Sequence, residues 1–288
     1  VVNRLGNIPA ITYTNASGDK RNWTAKYTAH QNDTAGLVSF TIGFTSLAGI
    51  AGAAVSNVDD GSSVTFEKSA PTVTSASIAS NNATNTRAVV NNIVTLNFVT
   101  NEQIQTPTVT FLSGSITIPR ANTPTNPSLD KRTWITTYTA NAADTDGNVT
   151  FSIAFTDISG NPGTPATSAS GSVLFDNTAP TPANVSIGSD NTISSGYLGG
   201  WATTGDTIKV FINPNEIISR PTVTFALGGA IIAANRVIYA NPSGNTWTAQ
   251  YNGLASDAEG LVGFTVTNFT NLHGITRAAS ITAVTDSS

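Results

Sequence analysis

Apolar residues alternate with threonine, serine and asparagine along short stretches of this chain. Val94, Leu96 and Phe98 alternate with the polar residues Thr95 and Asn97, which is the period-two pattern of a half-buried strand. In a strand, every second residue points the same way, so we expect one row to be formed by Trp134, Thr136 and Tyr138 and another by Val149, Phe151, Ile153 and Phe155. We predict that these last two rows face each other across the core of a β-sandwich.

The same order of features occurs three times, which indicates three copies of one unit. Trp134 follows Trp23 by 111 residues and precedes Trp247 by 113. In each copy an Asp-x-x-Gly corner separates the tryptophan strand from a phenylalanine-containing strand, at residues 33–36, 144–147 and 257–260. This period exceeds the roughly 20–50 residues of a solenoid repeat, so each copy is long enough to enclose its own core.

Strand patterns with turn residues between them, and no helical periodicity, predict an all-β protein built of antiparallel β-sandwiches. Ser69-Ala-Pro71 and Thr178-Ala-Pro180 are the predicted joints between copies. Proline fixes φ and biases the preceding residue toward extended geometry, so we expect both joints to be short and stiff. The predicted domains are residues 1–70, 71–178 and 179–288.

The first copy is expected to be incomplete. Residues 11–18 align with 237–244, and the two or three strands that precede this point in the later copies are missing here. Such a partial sandwich would expose unpaired strand edges and a half-open core. Either the missing strands precede Val1 in a longer protein, or a partner chain donates a strand by β-augmentation.

Composition narrows the classes of function. Only 10% of residues are charged and the formal net charge is −4, so we expect no nucleic-acid partner. The absence of cysteine excludes disulfides and thiol chemistry. No stretch is long and apolar enough to predict membrane insertion, and we expect any export signal to lie outside this sequence.

Catalysis is not expected, because no convergent set of reactive side chains is visible. His30 and His273 occupy non-equivalent positions in different copies. Glu102 and Glu216 recur, but each precedes a Pro-Thr-Val-Thr-Phe strand, where we interpret it as a solvated turn carboxylate.

As a set, the motifs resemble the tandem bacterial Ig-like domains of large cell-surface proteins and adhesins. The matching segments are Ala-Pro-Thr-Val at 70–73, Ser-Ile-Ala-Ser-Asn-Asn at 77–82, Pro-Thr-Val-Thr-Phe at 107–111, Trp-Ile-Thr-Thr-Tyr at 134–138, Asp-Thr-Asp-Gly at 144–147 and Phe-Thr-Asp-Ile-Ser-Gly-Asn at 155–161. The resemblance covers nearly the whole chain. It implies immunoglobulin-like sandwiches, an extracellular location and a spacer, adhesive or fibre-building role without catalysis.

The partners that this resemblance implies are neighbouring copies of the chain or adjacent Ig-like domains. The alternative is a self-assembling filament or surface-layer subunit, in which the open first domain is completed by strand donation from a neighbouring chain.

Calcium binding is the metal hypothesis that the second copy supports. Five hard oxygen donors lie near its loop ends, namely Asp144, Asp146, Asp157, Asn161 and Asp176. Ser46 and Asn271 replace Asp157 in the other copies. The alternative is that each aspartate caps its own turn without an ion. We expect no other cofactor.

The third copy contains a five-residue insertion that carries Tyr197 and Trp201. These rings could form an exposed contact with a partner or stack on a sugar of a cell-surface glycan, which would make the chain a carbohydrate-binding module. Alternatively, the glycines around them let the loop fold back, so that Trp201 plugs one end of its own sandwich.

Overall fold

The computed structural model describes residues 11–191 and 200–285. Within these ranges the regular elements are strands and a single 3-10 turn. We refer to residues 11–70 as module 1, residues 71–178 as module 2 and residues 179–285 as module 3.

Module 1 contains two small antiparallel sheets. Its strands are β1 (Thr12–Thr14), β2 (Thr24–Lys26), β3 (Gly36–Leu37) and β4 (Thr65–Phe66). β1 pairs with β2, and β3 pairs with β4.

Module 2 is a complete sandwich of eight strands. They are β5 (Val73–Ser80), β6 (Arg87–Ala88), β7 (Ile93–Thr100), β8 (Thr108–Ser113), β9 (Ile116–Ile118), β10 (Thr133–Thr139), β11 (Gly147–Ala154) and β12 (Val173–Phe175). One sheet has the order β5-β7-β10 and the other has the order β6-β12-β11-β8-β9. The sheet of β5, β7 and β10 thus packs against the sheet that contains β8, β11 and β12, which is the arrangement of an immunoglobulin sandwich.

Module 3 repeats this plan with one sheet of four strands and one of three. Its elements are β13 (Pro182–Ser189), β14 (Thr207–Pro214), β15 (Thr222–Leu227), β16 (Ala230–Ile231), the 3-10 turn Ala234–Arg236, β17 (Ile238–Ser243), β18 (Thr246–Asn252) and β19 (Val262–Thr267). The sheet orders are β13-β14-β18-β17 and β16-β15-β19.

The two apolar rows of module 2 meet in one core, which confirms the prediction from their alternation. β10 and β11 belong to opposite sheets, and Trp134, Tyr138, Phe151 and Phe155 are all buried in the same cluster. The rings of Phe111 and Tyr138 are tilted, with centroids 5.1 Å apart. Each large apolar side chain buried in this way contributes about 1.5–3 kcal/mol to stability.

The equivalent rows of module 1 are exposed. Trp23 is 61% exposed where Trp134 is 5% exposed, and Phe44 is 55% exposed where Phe155 is 6% exposed. These side chains of module 1 are therefore not enclosed as their counterparts in module 2 are.

Candidate functional site

The first joint, residues 67–72, runs from the end of β4 to the start of β5. A loop of module 2 reaches back across it. The Nδ2 of Asn161 donates a hydrogen bond of 2.7 Å to the Glu67 carboxylate and one of 3.3 Å to the Glu67 carbonyl oxygen. A module 2 side chain therefore holds the residue that follows the last strand of module 1.

Asp157 fixes the loop that presents Asn161. Its Oδ1 accepts hydrogen bonds of 2.8 Å from the backbone N–H groups of Ser159 and Asn161, and its Oδ2 accepts one of 2.8 Å from Asn161 Nδ2. Gly160 has a φ of 98°, a left-handed conformation that glycine adopts without strain. The sequence Asp-x-x-Gly-Asn thus forms a turn held by its own aspartate, and this turn directs the side-chain amide of Asn161 toward the joint.

Three carboxylates converge at the first joint. Oxygens of Glu67, Glu102 and Asp157 all lie within 4.8 Å of one another, and Asp157 is only 1% exposed. Burial raises the pKa of Asp157, but hydrogen bonds from Asn161, Glu67 and Gly160 together outweigh it and hold the pKa below its ordinary value. An anionic oxygen cluster of this kind is chemically suited to a hard cation such as Ca²⁺.

The second joint, residues 176–181, has the same length and a related bridge. The Nδ2 of Asn271 donates hydrogen bonds of 2.8 Å to the Asp176 carboxylate and 3.2 Å to the Thr178 carbonyl oxygen. Asn271 also replaces Asp157 as the cap of its loop, because its Oδ1 accepts from the backbone N–H groups of His273 and Ile275. At the second joint Asn271 alone caps its loop and bridges to the joint. At the first joint Asp157 caps the loop and Asn161 forms the bridge.

The charges at the second joint differ from those at the first. The Nδ1 of His273 lies 3.0 Å from the Asp176 carboxylate, and burial lowers the pKa of His273 against the attraction of Asp176. Burial also raises the pKa of Glu216, helped by the negative charges of Asp176 and Asp146. The neutral amide of Asn271 occupies the position at the second joint that the carboxylate of Asp157 occupies at the first.

The five residues predicted as calcium ligands fall in separate places. Asp157 and Asn161 lie at the first joint, whereas Asp146 and Asp176 lie at the second, where Asp146 Oδ1 accepts from the Asn177 backbone N–H at 2.7 Å. Asp144 pairs with Arg120.

Three of these aspartates cap their own turns. Asp144, Asp157 and Asp176 each accept a hydrogen bond from a backbone N–H within their own turn.

The interpretation of Glu102 and Glu216 as solvated turn carboxylates is wrong. Both are half-buried, and each faces the acidic residue of a joint. Reasoning from the sequence also missed Glu67, although a signal was present. An acidic residue stands four positions before each joint proline, Glu67 before Pro71 and Asp176 before Pro180.

Trp201 is 82% exposed, so the prediction that it plugs the end of module 3 is wrong. Tyr197, its predicted companion, lies outside the described residues. Because the indole is exposed, a contact of Trp201 with a partner or a sugar ring remains a proposal.

In the described ranges, residues 11–191 and 200–285, we find no helix with the length and hydrophobicity needed to cross a membrane. The sequence matches no known protein family and no curated protein.

The solved structures that the chain resembles are tandem Ig domains. Titin domains Z1Z2 in complex with telethonin share 14% identity over 76% of this chain and 95% of theirs, with a TM-score of 0.26. The N-terminal Ig1-2 module of the Drosophila receptor protein tyrosine phosphatase DLAR shares 12% over 72% and 97%, with a TM-score of 0.22. DIP-gamma Ig1 and Ig2 share 12% over 74% and 94%, with a TM-score of 0.29. Because these TM-scores are low, we assign the fold from the sheet orders of modules 2 and 3. Those orders define a tandem Ig-like β-sandwich protein.

Proposed function

We propose that this chain is a non-enzymatic structural or adhesive protein of the cell surface, in which Ig-like modules act as stiff spacers. The observation that carries this proposal is the amide bridge at each joint, from Asn161 to Glu67 and from Asn271 to Asp176. Domains joined by small polar contacts ordinarily move relative to one another. A short proline-containing joint with a repeated side-chain bridge restricts that motion.

Both joints have the design that a spacer requires. Each contains six residues between the flanking strands, and each places its acidic residue directly after the last strand of the preceding module. The second joint has a further tie, because Arg87 Nη1 of module 2 donates a 2.6 Å hydrogen bond to the Leu272 carbonyl oxygen of module 3. Equal length and repeated bridging favour a fixed distance between successive modules.

Small-angle X-ray scattering tests this proposal. We expect the scattering of residues 1–288 to fit a single extended conformer, and we expect the Asn271→Ala variant to require an ensemble of conformers. Scattering of the unmodified chain that already requires freely swinging modules would refute the spacer role.

We also propose that the calcium hypothesis applies to the first joint. Glu67, Glu102 and Asp157 supply several carboxylate oxygens close together, and a cation between them would tie module 1 to module 2. The second joint holds Asn271 in place of Asp157 and provides an internal comparison.

A fibre-forming role is the second candidate function, and the exposed apolar row of module 1 favours it. A neighbouring chain that covers this row would complete the module and link the two molecules. Size-exclusion chromatography with electron microscopy distinguishes the two roles, since a spacer stays monomeric and a subunit forms fibres.

A contact with cell-surface glycans is the third candidate, favoured by the 82% exposure of Trp201. An exposed indole offers a flat apolar face for a sugar ring. We expect binding on a glycan array to be lost in Trp201→Ala with unchanged stability, and an array without any bound glycan would remove this candidate.

A further inference from the structure

His273 lies in the module 3 loop at the second joint, and module 2 supplies the charged groups that act on it. Its Nδ1 is 3.0 Å from Oδ2 of Asp176, and the two side chains are only 10% and 14% exposed. Asp146 and Arg87, also from module 2, act on the imidazole through their charges. The ionisation of His273 therefore depends on the contact between the two modules.

One ring nitrogen of His273 has a partner and the other has none. A neutral imidazole carries a single N–H, and the nearby carboxylate of Asp176 places it on Nδ1, which donates to that carboxylate. Nε2 is buried and has no hydrogen-bond partner among the described residues. Protonation puts a second N–H there without an acceptor, and a buried unsatisfied donor destabilises the arrangement that contains it.

The charges of module 2 do not reverse this balance. Asp176 and Asp146 favour the imidazolium, whereas Arg87 opposes it. Burial has the largest effect and also opposes it, so the pKa of His273 lies below its ordinary value of 6.5. Arg87 is held beside this loop, because its Nη1 donates a 2.6 Å hydrogen bond to the carbonyl oxygen of Leu272. When the modules separate, these charges move away and water reaches the ring, so we expect the pKa to return toward 6.5.

Glu216 also faces the second joint, but it responds to acid in the opposite sense. Burial raises the pKa of Glu216 above its ordinary value, helped by the charges of Asp176 and Asp146. The docked modules therefore bind a proton on Glu216 more readily than separated ones, and acidification through this pKa favours docking. A joint that loosens on acidification therefore does so through His273 and not through Glu216.

We propose that His273 makes the second joint a pH-sensitive hinge, in which modules 2 and 3 stay docked while the imidazole is neutral and separate more readily when it binds a proton. Because separated modules bind more protons below about pH 6.5, the free energy of docking is fully present above that value and falls as the pH falls below it. This inference rests on the proposed spacer function and adds its regulation by mild acid.

Pulsed electron paramagnetic resonance between labels at Thr150→Cys and Thr267→Cys measures the opening, with EDTA in every sample to remove any effect of a bound cation. We expect one narrow distance distribution at about pH 7.5 that broadens at about pH 5. His273→Asn retains an amide donor for Asp176 but takes up no proton, and we expect its distribution to stay narrow at both values. His30→Asn, which removes the other histidine of the chain, is the control and should broaden as the unmodified chain does.

Titration of the His273 ring protons by NMR gives a second measurement that does not depend on a histidine variant. We expect a midpoint below 6.5 in the unmodified chain and a midpoint closer to 6.5 in Asn271→Ala, which weakens the contact between the modules. A distribution that stays narrow at about pH 5, broadening that persists in His273→Asn, or a midpoint that is the same in Asn271→Ala would each overturn the proposal and leave the spacer function standing. A distribution that is already broad at about pH 7.5 would overturn both.

Discussion

The Nδ2 of Asn161 donates one hydrogen bond to Asp157 at 2.8 Å and another to Glu67 at 2.7 Å, so one amide links the loop of module 2 to the joint before it. At the second joint Asn271 makes the equivalent link to Asp176. Because the bridging residue comes from the loop after the phenylalanine-containing strand in both cases, the joint geometry is part of the repeat itself.

Asn161→Ala should loosen the first joint and leave module 2 folded. Loss of a hydrogen bond to a charged group costs about 1.5–3 kcal/mol when both partners are fixed, and less where solvent replaces the donor. We expect faster proteolytic cleavage within residues 67–72 and a wider range of module 1 orientations by NMR relaxation. Asn148→Ala, at an exposed position of β11, is the matched control. Equal cleavage of both variants would show that the bridge does not restrain the joint.

Equivalent phenylalanines should differ in what their removal costs. Phe151 is buried between the sheets of module 2, whereas Phe40 is exposed in module 1. We expect Phe151→Ala to lower the free energy of unfolding by about 3–5 kcal/mol, the usual cost of a large cavity. Phe40→Ala should cost far less in the isolated chain. Urea unfolding measures both, and a similar loss for Phe40→Ala would mean that module 1 has a closed core.

Asp257 should make the stability of module 3 depend on pH in the acidic range. Hydrogen bonds of 2.6 and 2.7 Å from Arg236 hold the pKa of Asp257 at about 2, below its ordinary value of 3.8. Between these values the unfolded state binds more protons, so the free energy of unfolding falls as the pH falls through this window and is fully retained above it.

Asp257→Asn removes this titration. We expect the variant to be less stable at pH 7 and to lose less stability than the unmodified chain between about pH 4 and pH 2. Glu259→Gln, which changes an exposed carboxylate of the same corner, is the control. Parallel stability curves for Asp257→Asn and the unmodified chain, measured by thermal unfolding, would contradict this assignment.

Calcium should act at the first joint and not at the second. We expect Ca²⁺ to raise the melting temperature of residues 1–288 and EDTA to reverse the change, since a ligand that binds only the folded state stabilises it. Glu102→Gln should remove the response. Glu216→Gln, at the equivalent position of the second joint, should retain it, because Asn271 has replaced the third carboxylate there. A calcium response that is absent, or that disappears in both variants, would exclude this site.

The strands and the core could be predicted because their signals are local. Trp134 and Phe155 lie in rows whose alternation fixes which face each side chain occupies, and burial of one face then selects the sandwich. Trp23 lies in the equivalent row of module 1 but is 61% exposed, because burial depends on the elements that pack over a row as well as on the row itself.

The joint clusters could not be predicted because their members lie far apart in sequence. Glu102 meets Glu67 from the preceding module and Asp157 from a loop 55 residues later, and nothing near Glu102 signals either contact. Trp201 was misjudged for a related reason, since a large apolar side chain is normally buried and the sequence does not show which face its loop takes.

The distance between modules 2 and 3 tests the central claim of a stiff spacer most directly. Because the chain contains no cysteine, Thr150→Cys and Thr267→Cys provide two specific positions for spin labels. Pulsed electron paramagnetic resonance should give one narrow distance distribution, which broadens in the Asn271→Ala variant. A broad distribution in the chain with Asn271 intact, unchanged by the substitution, would contradict the account.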